Sequence, residues 1–262
     1  MKFDGKAFAQ EIEAKVSDEV AKLSLKPRIV SVLVGDDPAS ALYTKLKKAA
    51  AERVGIDFEI VREKGEGKSE KLVELVDMIG RRSDVTGVMV QLPLPGDSRK
   101  DTEEILAAIP LDKDVDGLRY PESGVVPPVV KAILDVVEKI GGNPQKFVVI
   151  GASGFVGSAT CLELEKMGKE VIKVDSDTQN AKDLVLQGDI VISCVGKEGV
   201  VTEDMVRDGV IAIDVGAPHG DMMSEVYQKA SVSVEVPGGI GPVTIACLLN
   251  NALELYDTRV SR

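Results

Sequence analysis

Tyr43 and Lys47 stand four residues apart in Tyr43-Thr-Lys-Leu-Lys47, so on a helix they share one face. An aromatic ring beside an amine could hold a flat, partly polar ligand and assist proton movement on it. Spacing alone does not single out Lys47, because Lys45 and Lys48 are neighbours and a helix lysine is ordinarily solvated. Gln91 closes the apolar run Thr86-Gly-Val-Met-Val-Gln91, which Leu92-Pro-Leu-Pro95 then halts. A strand-end amide in that place can orient an amine or bind a ligand, or simply terminate the strand. Lys113-Asp-Val-Asp-Gly117 offers two carboxylates. Asp114 and Asp116 could each accept from a ligand or from their own turn.

A second stretch carries different chemistry. Lys146-Phe-Val-Val-Ile-Gly-Ala-Ser-Gly-Phe-Val-Gly-Ser158 opens with a short apolar run, the mark of a buried parallel strand. Gly151, Gly154 and Gly157 read as a tight turn, followed by a helix from Ser158 to Met167 that Gly168 ends. Val171 to Val174 is a second strand, ending in Asp175. Strand, glycine turn, helix, strand and acid form the layout of a dinucleotide-binding unit. There the pyrophosphate approaches glycine backbone and a helix N-terminus. The spacing departs from G-x-G-x-x-G: Ser153 takes the second glycine position and Gly157 comes one residue late.

The elements that must place these residues alternate. A helix is expected over Gly5–Leu25, a strand over Arg28–Val34, a helix over about Ala39–Arg53 and a strand over Phe58–Val61. The polar loop Glu63–Lys68 leads to a helix over about Ser69–Arg81, and a further helix spans Asp101–Ile109. Alternation of this kind implies a parallel sheet with right-handed crossovers, and a ligand crevice beyond the carboxyl ends of its strands. Gly35, Gln91 and the Lys113–Gly117 loop would reach that crevice. A linking helix is read from Pro127 to Ile140. Asp189-Ile-Val-Ile-Ser-Cys-Val-Gly196 and Val210-Ile-Ala-Ile-Asp-Val-Gly216 are later strands with glycine turns, which puts Val195, Gly196 and Gly216 beside the nucleotide. After Val236-Pro-Gly-Gly-Ile-Gly-Pro-Val-Thr244 comes a helix to about Tyr256, too apolar to stand alone and therefore expected to pack back on the first domain. The fold class is α/β, with a parallel-sheet substrate domain over residues 1–120 plus the C-terminal helix 241–262. A Rossmann-like domain covers residues 121–240.

Composition narrows the rest. The 262 residues are 44% hydrophobic and 29% charged, a globular balance. Cys161, Cys194 and Cys247 are scattered singly, and His219 is the one histidine, so a protein-ligated metal is not expected. A net charge of -11 and 3% aromatic residues disfavour nucleic acid as the partner. Met1-Lys-Phe-Asp-Gly-Lys6 leads into a charged segment, so neither a signal peptide nor membrane insertion is expected, and the expected location is the cytoplasm.

Taken together, Val34-Gly-Asp-Asp-Pro-Ala-Ser40, Tyr43 with Lys47, Val90-Gln-Leu-Pro-Leu-Pro95, Lys113-Asp-Val-Asp-Gly117 and Val236-Pro-Gly-Gly-Ile-Gly-Pro-Val-Thr244 resemble, in order, the motifs of the methylenetetrahydrofolate dehydrogenase/cyclohydrolase family. The resemblance implies oxidation of 5,10-methylenetetrahydrofolate with a nicotinamide cofactor, then hydrolysis of the methenyl product to 10-formyltetrahydrofolate. It implies a homodimer joined through the cofactor domains, with folate between the two domains of each subunit. It makes Lys47 catalytic, by proton transfer or as a cation on the ring nitrogen. Tyr43 becomes the face for the pterin or aminobenzoyl ring, Gln91 and Leu92 substrate contacts, and Asp116 the acceptor for pterin N–H groups. Pro237, Gly238, Gly239 and Pro242 become backbone close to folate and nicotinamide. The family's P-C-T-P is Pro127-Pro-Val-Val130 here, and its T-P before V-P-G-G is Val234-Glu235. A shikimate-type dehydrogenase and a non-catalytic nucleotide-binding regulator are the alternatives.

The resemblance also favours NADP, with Ser176 and Thr178 matching hydroxyl positions of the family's H-S-x-T segment. The residues pull toward NAD: Asp175 stands where an acid reads the ribose hydroxyls, Asp177 follows, and Ala152 replaces an arginine that many members carry. NADP is the expectation, with NAD close behind.

Overall fold

The computed structural model describes residues 1–64 and 69–260, so part of the expected Glu63–Lys68 loop and positions 261 and 262 of the expected helix 241–262 lie outside the described residues. The chain divides into two compact units: Gln10–Pro128 with Ile245–Arg262, and Met1–Ala9 with Val129–Thr244. Residues 1–9 therefore group with the second unit, where the motif order had set them in the first.

The first unit holds β1 (Arg28–Val34), α2 (Pro38–Val54), β2 (Asp57–Glu63), α3 (Ser69–Gly80), β3 (Gly87–Val90) and α4 (Thr102–Ala107); most of α1 (Gly5–Val20) also lies here. Its sheet is parallel with order β2-β1-β3. The chain leaves β1 toward one neighbour and returns on the other, so the sheet has its switch point between β1 and β3. A ligand is expected there, beyond the carboxyl ends. Alternate residues of β1 face opposite ways. Ile29 packs with Ala51, Val54, Phe58 and Met89, whereas Val30, Val32 and Val34 pack with Leu72, Val76, Ile105 and Ile109. Asp37 starts α2: its carboxylate accepts from Ser40 N–H at 2.7 Å, and Pro38 occupies a first-turn position where no N–H is missed. Helix α1 stops at Val20, five residues short of the expected Leu25, because Ala21–Leu23 turn back on Ser17, Glu19 and Val20.

The second unit holds α5 (Pro128–Ile140), β4 (Lys146–Ile150), α6 (Phe155–Lys166), β5 (Glu170–Val174), α7 (Ala181–Val185), β6 (Ile190–Ser193), β7 (Ile211–Asp214), α8 (Ser224–Lys229) and β8 (Val232–Val234). Its parallel sheet has order β5-β4-β6-β7-β8, the doubly wound order whose ligand crevice opens between β4 and β6. The chain start lies along the outer edge of β8: Phe3 N–H donates to Ser233 C=O at 2.8 Å and Ser233 N–H to Met1 C=O at 2.9 Å.

The last helix, α9 (Ile240–Val260), belongs to both units by sequence. Ile245, Leu248, Leu249, Ala252 and Leu253 join Val16, Val20, Ile29 and Met89 in one core. The apolar C-terminal helix thus packs on the first unit, as expected. No described helix is long and apolar enough to cross a membrane, and no group of three or more candidate metal ligands occurs among the described residues.

Candidate active site

Helix α2 presents Tyr43 and Lys47 on one face, and the ammonium nitrogen Nζ of Lys47 lies 4.9 Å from the centre of the Tyr43 ring. Lys47 is only 4% exposed, whereas Lys45 is exposed and Lys48 reaches Glu52 at 3.8 Å on the surface. Burial separates the three lysines that spacing could not. Gln91 stands one residue beyond β3, its N–H donating to Val32 C=O at 2.8 Å. Its Oε1 is 3.3 Å from Lys47 Nζ, and its Nε2 donates to Leu92 C=O at 2.8 Å. That second bond fixes the amide with its oxygen toward the lysine. Asp116 Oδ2 is 3.5 Å from the same Nζ, and Met89 Sδ is 4.0 Å away. A buried amine thus meets one carboxylate, one amide oxygen and one ring at the switch point of the sheet. Burial, with the Asp116 charge second, raises the Tyr43 hydroxyl pKa above its ordinary value, so Tyr43 acts as a neutral phenol.

The two aspartates of the polar loop divide their work. Asp114 is fully buried and accepts from Leu118 and Arg119 N–H, both at 2.8 Å. Desolvation raises its pKa despite these bonds. Lys113 is equally structural, its Nζ donating to Gly80 and Arg82 C=O at 2.7 and 2.6 Å. Asp114 and Lys113 hold the loop, and Asp116 is left to face Lys47. Leu92 is half-buried beside them. A groove of about 660 Å³ along β2, lined by Lys26, Arg28, Lys48 and Glu52, contains none of the predicted site residues.

In the second unit the glycine turn follows β4. Gly151 N–H donates to Val174 C=O at 2.8 Å, and Asp175 Oδ1 accepts from both Ser153 N–H and Ser153 Oγ at 3.0 and 2.8 Å. Thr178 Oγ1 accepts from Asp175 N–H at 2.8 Å. Ser176 is exposed. Gly157 differs from its expected place: it lies in the first turn of α6, which begins at Phe155 rather than Ser158. Its role is close approach, since a Cβ there would sit 2.0 Å from Gly151 C=O. No side chain caps α6 at Gly154, and uncapped N–H groups at a helix start favour an anion. Ala152 is buried. Val195 and Gly196 are exposed after β6, and Gly216 is buried after β7. Cys194 N–H donates to Ile150 C=O at 2.9 Å and Val215 N–H to Ser193 C=O at 2.9 Å. The segments after β4, β5, β6 and β7 therefore carry the predicted cofactor residues, apart from Gly157 in the first turn of α6.

Pro237, Gly238 and Gly239 form a turn before α9, closed by Gly239 N–H on Glu235 C=O at 2.9 Å. Pro242 falls in the first turn of α9, where proline is tolerated. Glu235, a departure from the family motif, pairs with Lys2 at 2.6 Å and accepts from Ser233 Oγ at 2.8 Å. Sequence reasoning missed Ser193, Asp214, Asp221 and Tyr227, which join one another behind the β6 and β7 turns. Only an acid at the end of the β7 run, Asp214, was visible in the pattern as a signal.

Comparison with known proteins identifies the family. Residues 3–116 match the tetrahydrofolate dehydrogenase/cyclohydrolase catalytic domain, and residues 127–260 match the NAD(P)-binding domain of the same family. A bifunctional protein FolD of Moorella thermoacetica is 36% identical over 272 residues, covering 96% of each chain. The crystal structure of the Campylobacter jejuni bifunctional enzyme FolD superposes with a TM-score of 0.91 at 30% identity, covering 99% of both chains. The Trypanosoma brucei enzyme, solved with NADP and an inhibitor, gives a TM-score of 0.91 at 27% identity over 100% of this chain and 99% of that one. A shikimate dehydrogenase shares the fold at a TM-score of only 0.53 and 14% identity, covering 87% of this chain and 95% of that one. With both domain matches and full-length relatives in hand, the chain belongs to the tetrahydrofolate dehydrogenase/cyclohydrolase family.

Proposed function

We propose that the chain oxidises 5,10-methylenetetrahydrofolate to the 5,10-methenyl form and hydrolyses that product to 10-formyltetrahydrofolate. The observation that carries this reading is the buried Lys47 amine set between Gln91 Oε1 and Asp116 Oδ2. Hydride loss from the methylene carbon leaves a cation shared with the folate nitrogens. Water adds to that carbon, and because the formyl group ends on N10, the carbon–N5 bond must break and N5 must gain a proton. Lys47 is the group that assists this proton transfer or polarises the ring nitrogen. Gln91 and Asp116 hold its Nζ in place, and positioning of this kind lowers the barrier by limiting the orientations to be searched. Tyr43 supplies a neutral ring and hydroxyl beside the amine. Asp116 keeps its second carboxylate oxygen for pterin N–H groups. Leu92 and the Pro237, Gly238, Gly239 and Pro242 backbone complete the proposed substrate contacts.

The glycine turn of the second unit fits a dinucleotide: Gly151 and Gly157 let backbone pass close, and α6 begins there without a side-chain cap. The cofactor, when bound, accepts the hydride. We assign NADP, as the family resemblance favours. Asp175 is turned onto Ser153 and braces the turn, and Ser176 and Thr178 supply hydroxyls. NAD is the second reading, and one observation favours it: Lys173 pairs with Glu165 at 2.7 Å instead of turning toward the ribose end. We further infer a homodimer in the cytoplasm, in line with the resemblance. An absorbance assay with methylene-folate and each cofactor tests the function. Methenyl-folate formed together with reduced cofactor is the expected result, and purified protein that forms neither would refute the reading.

A further inference from the structure

Asp214 and Asp221 are both fully buried in the second unit, and neither belongs to a predicted site. They lie one behind the other. Asp214 ends β7, and its oxygens accept from Gly216 N–H at 2.9 Å, Met222 N–H at 2.8 Å, Tyr227 Oη at 2.7 Å and the N–H of Asp221 itself at 2.8 Å. Asp221, so anchored, sends its carboxylate to the turn after β6. Oδ2 accepts from Ser193 Oγ and Val195 N–H, both at 2.8 Å, and Oδ1 accepts from Lys197 N–H at 2.8 Å. Its carboxylate also presses on Gly216, where a Cβ would meet Oδ1 at 2.0 Å. Only glycine fits there. The same cluster reaches the approach to the Pro-Gly-Gly turn, because a Cβ on Gly220 would stand 3.0 Å from Asp214 Oδ2, 3.3 Å from Tyr227 Oη and 3.5 Å from Val236 Cβ.

A buried carboxylate is costly unless donors saturate it. Here they do: the donors are backbone N–H groups of the segments after β6 and β7 and two hydroxyls, Ser193 Oγ at the end of β6 and Tyr227 Oη in α8. The cost of burial is therefore tied to those segments keeping one geometry. A shift of Lys197 takes the donor from Oδ1, and a shift of Val195 leaves Oδ2 to Ser193 Oγ; a bond lost by a charged oxygen carries a larger penalty than one lost in a neutral pair.

We propose that Asp221, seated on Asp214, is a positioning residue for the nicotinamide end of the cofactor, fixing the Val195–Lys197 turn and Gly216 in their binding geometry. This rests on the reading that the second unit binds a nicotinamide dinucleotide. An amide cannot replace the carboxylate: asparagine has one oxygen for three donors, and its NH₂ would face either Lys197 N–H or the Ser193 and Val195 donors. Asp221→Asn therefore frees the turn while Asp214 still holds its own bonds.

The test combines titration of NADPH and NADH by their own fluorescence, steady-state oxidation of methylene-folate, and hydrolysis of methenyl-folate without cofactor. Asp221→Asn is expected to weaken dinucleotide binding and raise the cofactor KM by about tenfold or more, with methenyl hydrolysis within about twofold of the parent. Unchanged binding in the folded variant would overturn the proposal. So would parallel loss of binding and hydrolysis, the mark of a merely structural role. If Asp221→Asn does not fold, Tyr227→Phe removes one donor from Asp214 and should still weaken binding by about threefold; no change there also overturns it. Parent protein that binds NADPH or NADH yet turns over no folate would refute the folate reading alone, leaving the titration to decide on Asp221. Parent protein that binds neither dinucleotide overturns both.

Discussion

Lys47 shows how one side chain acquires a function its neighbours lack. It shares a helix turn with Lys45 and Lys48, yet it alone is buried with its nitrogen against Gln91, Asp116 and the Tyr43 ring. Lys47→Ala is expected to lower methenyl hydrolysis by roughly a hundredfold or more, the range of a lost proton-transfer group. NADPH titration of the same variant should be unchanged, because the glycine turn belongs to the other unit; near-normal hydrolysis would remove Lys47 from the mechanism. Asp114 makes the complementary prediction. Its raised pKa comes first from desolvation, so the folded protein binds its proton more tightly than the unfolded chain does. The contribution to stability is fully present below the unfolded carboxylate pKa and is lost as pH rises through the folded one. Urea denaturation of the parent and of Asp114→Asn should therefore show the parent gaining relative stability as pH falls from neutral through the raised pKa. A difference independent of pH would refute the assignment.

Among the elements, those with a strong local period were legible: α2, α3, β1 and β4 lie within a few residues of where apolar spacing puts them. β8 is three residues long, too short for a period, and its place depends on pairing with β7 and on the chain start more than two hundred positions away. The site divides the same way. Tyr43 and Lys47 are a local pair, visible as a spacing of four. Ser193 and Asp221 meet across 28 positions, and no local pattern encodes that contact. The start of α6 was misplaced because Phe155-Val-Gly157 lacks any capping residue, so the helix entry looked like more of the glycine turn. α9 was placed by composition alone, since a helix apolar on most sides needs a core. Its contribution can be measured: Leu249 is fully buried, and Leu249→Ala should cost about 2–5 kcal/mol in chemical denaturation. A loss below about 0.5 kcal/mol, typical of a surface change, would mean the helix is not part of that core.

For the protein as an enzyme, both sheets place their proposed ligands by one topological rule, at the point where the chain reverses direction across the sheet. Cofactor choice is then decided by a few charges around β5. With Asp175 turned onto Ser153, NADP is the expected substrate, and kcat/KM with NADP should equal or exceed that with NAD. A preference for NAD above about tenfold, or 1.4 kcal/mol, would show that Asp175 reads the ribose after all.

The strand-like start of the chain has a consequence for association. A sheet can add strands wherever it offers an unpaired ladder of N–H and C=O groups, and proteins commonly blunt such rims. Met1–Phe3 occupy the rim of β8, so β8 cannot template a neighbour. β5 is the last strand on the opposite side, with Glu170 and Lys173 exposed among the half-buried Val171 and Ile172. Lateral growth of this sheet is thereby made one-sided: a second chain joining strand to strand would have to come to β5, and two chains meeting there would leave no further rim on which a third could build.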